Sequence, residues 1–207
     1  MIHRIAKCVI SSFAALGLLG ALALPAAAVP AVGQSAPEFT LSDLSGKPVK
    51  LSDFKGRYVV LEWVNPDCPY VRRHYDSANM PALQKEAGGK KVAWLSINST
   101  RPGHSDFKTP EQMATWTKQK SATPSATLLD GDGKVGRSYG AATTPHMYII
   151  DPKGQLIYAG AIDDKRSASL EETKTAKNYV RLALGEALDG KPITTASTVA
   201  YGCTVKY

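Results

Sequence analysis

Cys68 is the residue whose setting most favours chemistry. The apolar run Tyr58 to Val64 reads as a strand buried on both faces, Asn65-Pro66-Asp67 ends it, and a helix is expected from about Tyr70. The cysteine therefore falls where strand gives way to helix. Free backbone N–H groups and the positive end of the helix dipole favour a thiolate there. Arg72, Arg73 and His74 follow within one turn; either they add positive charge near the sulfur or they form a solvated helix face. Glu62, six residues before the cysteine, puts a carboxylate in the central strand, which is costly unless it is paired or used, and it is a candidate general base. Asn65 can offer a hydrogen bond close by. Three residues after Cys68 stands Val71, so no local disulfide can close.

Which other cysteine is available depends on the start of the chain. His3, Arg4 and Lys7 precede an apolar run from Cys8 to Leu24, then Pro25 and Ala26-Ala27-Ala28, the pattern of a cleaved export signal over residues 1–28. Cleavage removes Cys8 and leaves Cys68 and Cys203 in an oxidising compartment, periplasmic or secreted, with no stable membrane span in the mature form. The formal charge of +7 falls to +5 when Arg4 and Lys7 leave. Basic residues are dispersed and do not interleave with aromatics, which argues against nucleic acid as a partner.

The mature chain reads as one domain over 29–190 with a tail, 191–207, that carries Cys203. Glu38 to Leu51 alternates like a hairpin around Asp43 to Pro48. A helix is predicted from Tyr70 to Lys85, bent or restarted at Pro81 and closed by Gly88-Gly89, and Lys91 to Ile97 is the next strand. Thr109-Pro110-Glu111-Gln112 starts a short helix by a capping box. Ala126 to Leu129 is a strand, and Asp130-Gly131-Asp132-Gly133 a tight turn: as a calcium loop it fails, with Val135 at position six and no closing Glu. His146 to Ile150 and Gln155 to Ala161 are strands joined by Asp151 to Gly154. Ser169-Leu170-Glu171-Glu172 reads as a second capping box, before apolar residues at helical spacing from Ala176 to Leu188. This order implies an α/β sandwich with a mixed sheet.

The element order is also that of the thioredoxin fold, and the residues carry the likeness further. Trp63, Asp67-Cys68-Pro69-Tyr70-Val71 and the following helix resemble a thioredoxin-like active-site turn, and Thr144-Pro145 before a strand resembles that superfamily's cis-proline loop. With the N-terminal hairpin, Ile162-Asp163-Asp164 and Gly202-Cys203-Thr204-Val205-Lys206, residues 36–207 resemble the peroxiredoxin-like redoxins of the alkyl hydroperoxide reductase/thiol-specific antioxidant family. The resemblance implies a three-layer α/β/α sandwich with a central mixed sheet and an N-terminal β-hairpin. It also implies a cis Pro145 with the Thr144 backbone beside the sulfur, ready to pair with an extended substrate segment, and it puts Glu62 at the position of the thioredoxin proton acceptor, or Leu61 there when Trp63 is paired with the thioredoxin tryptophan. The chain departs from peroxiredoxins at Leu61 and Asn65, which stand where that family has Pro and Thr.

Three functions follow as expectations. The leading one is an exported oxidoreductase in which Cys68 attacks a peroxide or a disulfide, assisted by Glu62 and Arg72. Asn65, Thr144 and Pro145 would bind substrate, Cys203 would resolve, and an external thiol would reduce the product; no cofactor or metal is required. The second is copper delivery, with Cys68, His146 and Cys203 converging on a soft metal, His74 and His104 being plain surface residues. In the third the two cysteines are a structural clasp.

Overall fold

Alternation along one strand divides the molecule into two cores. A computed structural model describes residues 29–207 together with Met1; apart from that methionine, the leader expected over 1–28 lies outside the described residues. In β3 (Val59–Trp63) every residue is buried. Val60, with Val64 just beyond, faces one apolar cluster, while Val59, Leu61 and Trp63 face the other, as period-two side chains on a sheet covered from both sides must.

The sheet around β3 has seven strands. In chain order these are β1 (Thr40–Asp43), β2 (Pro48–Lys50), β3, β4 (Ala93–Asn98) and β5 (Ala126–Leu129). β6 (Thr143–Thr144) stands apart from it, and β7 (His146–Ile150) and β8 (Leu156–Gly160) complete it. Their spatial order is β2-β1-β5-β4-β3-β7-β8. β3, β4 and β5 are parallel, and the remaining pairings are antiparallel. The N-terminal hairpin extends the sheet beyond β5. On one face lie α1 (Pro69–Asp76), α2 (Asn79–Gly89), α3 (Pro110–Gln119) and, after the short α4 (Lys134–Tyr139), α5 (Tyr179–Leu188). Tyr139 of α4 and Val205 of the tail pack on the other. The expected three-layer α/β/α sandwich is therefore what forms.

Three local expectations are corrected. The helix predicted over 70–85 breaks at Ser77–Ala78, where Ala78 takes φ 59°, and not at Pro81. Pro81 sits in the first turn of α2, where a missing N–H leaves no bond unmade. The box at Ser169 to Glu172 does not cap a helix: Glu171–Lys174 is one 3-10 turn, and α5 starts at Tyr179, with Asn178 accepting from Arg181 N at 2.8 Å. Bonds from Lys177 N to Asp164 Oδ1 and from Tyr179 N to Ile162 O hold the preceding segment extended. His74 is fully buried, not a surface residue. Conversely, α4 was not expected; the Asp130 carboxylate, accepting from Val135 N and Gly136 N, turns the tight loop into a helix start.

The tail is integral to this fold. Thr198 and Ala196 exchange backbone bonds with Ala159, Lys206 O accepts from Arg101 N at 2.8 Å, and the Tyr207 hydroxyl donates to Ala141 O. At its centre, Tyr201 donates to Asp163, which also pairs with the Arg73 guanidinium at 2.8 Å. Arg73 donates further to the carbonyls of Lys165 and Ser167, and both side chains of the ion pair are essentially inaccessible to water. Removing one partner of such a pair strands the other's charge. Asp163→Ala is accordingly expected to lower the unfolding free energy by about 3–5 kcal/mol in urea titrations, and a loss below about 1 kcal/mol, the surface-pair range, would show that Arg73 finds another partner.

Candidate active site

Cys68 occupies the N-cap of α1, in extended conformation, with Pro69 as the first helical residue. The sequence folds this way because Pro69 is pre-set for the first helical turn and lacks the N–H that would be left free. The Cys68 carbonyl opens the helix by accepting from Arg72 N, and its own N–H donates to Asn65 O. The side chain is 1% exposed. Its thiol donates to the carbonyl oxygen of Thr144 at 3.0 Å, and the Thr144-Pro145 peptide is cis.

Cys203 reaches the same point from the chain's other end. β9 (Cys203–Thr204) pairs antiparallel with β6, with Cys203 opposite Thr144 and Thr204 opposite Thr143. Both cysteines are free thiols. Burial pushes the Cys203 thiol up to about 12, helped by its hydrogen bond and Coulombic interaction with Cys68, so it keeps its proton at neutral pH. Thr144 adds one more feature: its hydroxyl is buried without a hydrogen-bond partner, an unused donor on the residue that already holds the sulfur.

The side chains of the remaining expected residues make their hydrogen bonds to partners other than the thiols. Asn65 spends its amide within the loop, donating to Asp106 at 2.9 Å and accepting from Asp67 N at 2.9 Å. Arg72 is exposed and lines an open groove of about 530 Å³ with Asp67, Lys108 and Trp116. Of the two arginines it is the buried Arg73 that acts structurally. Glu62 is fully buried and accepts from Tyr75, Gln84, Trp94 and Ser96; Cys68 is not among its partners. His146 stacks on Tyr148, its Nδ1 accepts from Ala142 N, and burial depresses it to about 4. Burial and then Arg73 hold His74 down to about 3. Among the described residues no three His, Cys, Asp or Glu side chains gather as metal ligands.

A cysteine at the helix start beside a cis-proline, over a mixed sheet with a parallel centre, defines a thiol protein of the thioredoxin-like fold. An uncharacterized conserved protein from Geobacillus kaustophilus, known as a crystal structure, superposes with a TM-score of 0.74 at 27% identity, covering 90% of this chain and 98% of that one. The chain belongs to the AhpC/TSA family, which matches residues 32–159. Among curated proteins it is 33% identical over 135 residues to the thioredoxin-like protein YneN of Bacillus subtilis, covering 64% of this chain and 74% of that one. It is 29% identical over 133 residues to the thiol-disulfide oxidoreductase ResA of Geobacillus thermodenitrificans, covering 61% and 67%.

The residues that sequence reasoning missed are Arg73, Asp163 and Tyr201 as a clamp on the tail. The only local sign was the Ile162-Asp163-Asp164 stretch, which carries no role until its partners are placed.

Glu62 yields a pH prediction. Burial raises its carboxyl above the ordinary value of 4.5, against the pull of bonds from Trp94, Tyr75, Ser96 and Gln84. The folded state then binds the proton more tightly than the unfolded one, so stability is lost as pH rises from about 4.5 through the raised value. Glu62→Gln removes that loss, and urea titrations are expected to show the variant gaining on the wild type from acid towards neutral pH. A difference that stays constant over that range would mean that the carboxyl titrates alike in both states.

Proposed function

We propose that the protein is an exported redoxin-type thiol oxidoreductase in which Cys68 is the nucleophile and Cys203 the resolving thiol. The observation that carries this reading is the pairing of Cys203 with Thr144, the residue whose carbonyl holds the Cys68 sulfur. The likeness to a thiol-disulfide oxidoreductase supports thiol–disulfide chemistry in general, and the leader pattern supports a periplasmic or secreted site of action. No helix among the described residues is long and apolar enough to cross a membrane.

With a hydroperoxide, the Cys68 thiolate attacks the terminal oxygen, the O–O bond breaks, and the alcohol or water leaves after taking a proton. Cys203 sulfur then attacks the resulting sulfenic acid. Its proton departs with the hydroxide as water, and the two sulfurs are joined in a disulfide. With a disulfide as electrophile, Cys68 forms a mixed disulfide, releasing one thiol, and Cys203 displaces the second. In both routes two electrons pass to the substrate, and an external thiol reductant restores the pair. The unpartnered Thr144 hydroxyl is suited to donate to the oxygen or sulfur on which charge develops. Arg72, at the open groove, is suited to attract an anionic reductant.

One equivalent of hydrogen peroxide, or of an oxidised thiol, added to the reduced protein is expected to give a single Cys68–Cys203 disulfide by mass mapping, reducible by thiols. Cys203→Ser is expected to stall Cys68 as a sulfenic acid or an intermolecular adduct. A wild type that keeps both thiols free under each oxidant would overturn the assignment. A disulfide that no physiological thiol reduces would instead make the pair a clasp, since structural bonds have potentials well below those of catalytic ones.

A further inference from the structure

The two-residue strand β6 offers its backbone as an edge on which another extended segment can add. Strand addition of this kind gives main-chain bonds to any extended polypeptide of suitable side chains. In this protein the edge is taken by the chain's own tail. Cys203 and Thr204 pair with Thr144 and Thr143, and the alignment continues in the bond from Val205 N to Ala142 O at 3.0 Å.

Gly202 shows how close the tail must come. It holds φ +136°, and a Cβ there would collide with the Thr144 carbonyl oxygen and stand 2.7 Å from its carbon. Only glycine allows that backbone to lie on the cis peptide. The Thr144 carbonyl is thus approached by the Cys68 thiol and by the backbone of residue 202. Tyr201, one residue earlier, is held by Asp163, and Lys206, beyond the strand, by Arg101. Beneath this cover Cys68 is 1% exposed.

We propose that residues 202–205 are a tethered substrate mimic: they fill the strand-addition edge and present Cys203 as a substrate cysteine would be presented. Cys68 then accepts electrophiles small enough to reach the sulfur without that edge, and admits extended polypeptide disulfides only when the tail has left. This rests on Cys68 being the nucleophile, as proposed above. Two strands cannot share one ladder, so any polypeptide must first break the tail's bonds. The ladder is short, and its release is a local event separable from global unfolding.

The test uses the reduced full-length chain and two probes with the same reactive group, the 2-thiopyridyl disulfide of mercaptoethanol and that of an extended peptide with one cysteine. Attack by Cys68 releases thiopyridone and leaves a mixed disulfide, and Cys203 then expels mercaptoethanol or the peptide thiol. In the wild type the small probe is expected to react at least about tenfold faster than the peptide, equivalent to about 1.4 kcal/mol. Gly202→Ala, which pushes the tail off Thr144, is expected to close most of that gap. Tyr201→Phe, which keeps the ring but drops the bond to Asp163, is expected to narrow it, and covers the case of a Gly202→Ala chain that does not fold. Equal rates for both probes in the wild type, or a gap unchanged in the folded variants, would overturn the mimic. Mass mapping of the first adduct keeps the two proposals apart. An adduct on Cys68 with no rate gap defeats the tail's role alone, whereas a first adduct on Cys203 defeats the nucleophile assignment and with it the mimic.

Discussion

The carbonyl of Thr144 is the point on which the site depends. It accepts from the Cys68 thiol, belongs to the cis peptide that precedes β7, and faces Cys203 across the β6–β9 pairing. A backbone acceptor does not move with side-chain rotamers, and Thr144 is joined through Pro145 to β7 of the central sheet, so the sulfur position is tied to that layer. Since the same residue fixes both cysteines, any shift of β6 displaces them together. This is how thiols separated by most of the domain stay in register without a covalent link.

A second set of contacts transmits the position of the tail to the helix that bears Cys68. Arg73 lies on α1, Asp163 follows β8, and Tyr201 belongs to the tail; they meet in one buried ion pair with a shared hydroxyl donor. Taking these charges out of water opposes folding, and the backbone carbonyls of Lys165 and Ser167 offset part of that cost by accepting from the guanidinium. The arrangement is weak evidence for stability but specific evidence for geometry. Few alternative positions of the tail would keep the Tyr201 hydroxyl on Asp163 while Asp163 stays paired with Arg73. Glu62 serves an analogous purpose one layer away, where Tyr75 from α1 and Gln84 from α2 tie the helices to the central strand through its carboxyl.

What could be read in the sequence follows the range of the forces involved. The β3 strand, the helix start at Cys68, the Thr109 cap and the two strands after Pro145 are set by local periodicity and capping, and they stand where those signals put them. α4 is only six residues long, too short for a periodic signal, and depends on the Asp130 carboxylate being held by Ser99. The Ser169 box has the right letters, yet bonds between residues 162–164 and 177–179 outcompete it. Within the proposed site, Cys68 and Cys203 could be picked out by type and position, and Thr144 by the resemblance of Thr144-Pro145 to a cis-proline loop. The clamp could not, because Arg73 and Asp163 are 90 residues apart and Tyr201 a further 38. Glu62 was legible as an unusual buried acid but not as a residue with four donors, none of them the thiol.

In the proposed mechanism, position gives the two cysteines different parts. Cys203 lies close enough to Cys68 to feel a charge on it, and burial together with that contact keeps its own proton in place. A thiol that stays protonated is a poor first nucleophile, because the thiolate is the attacking form. It is nonetheless well suited to a second step, in which its proton must leave with the departing hydroxide or thiolate. Cys68, at the N-cap of α1 where the helix dipole favours negative charge, has the setting for the first step. The two proposed roles thus match where each sulfur sits, one at a helix terminus and one on a strand paired to Thr144.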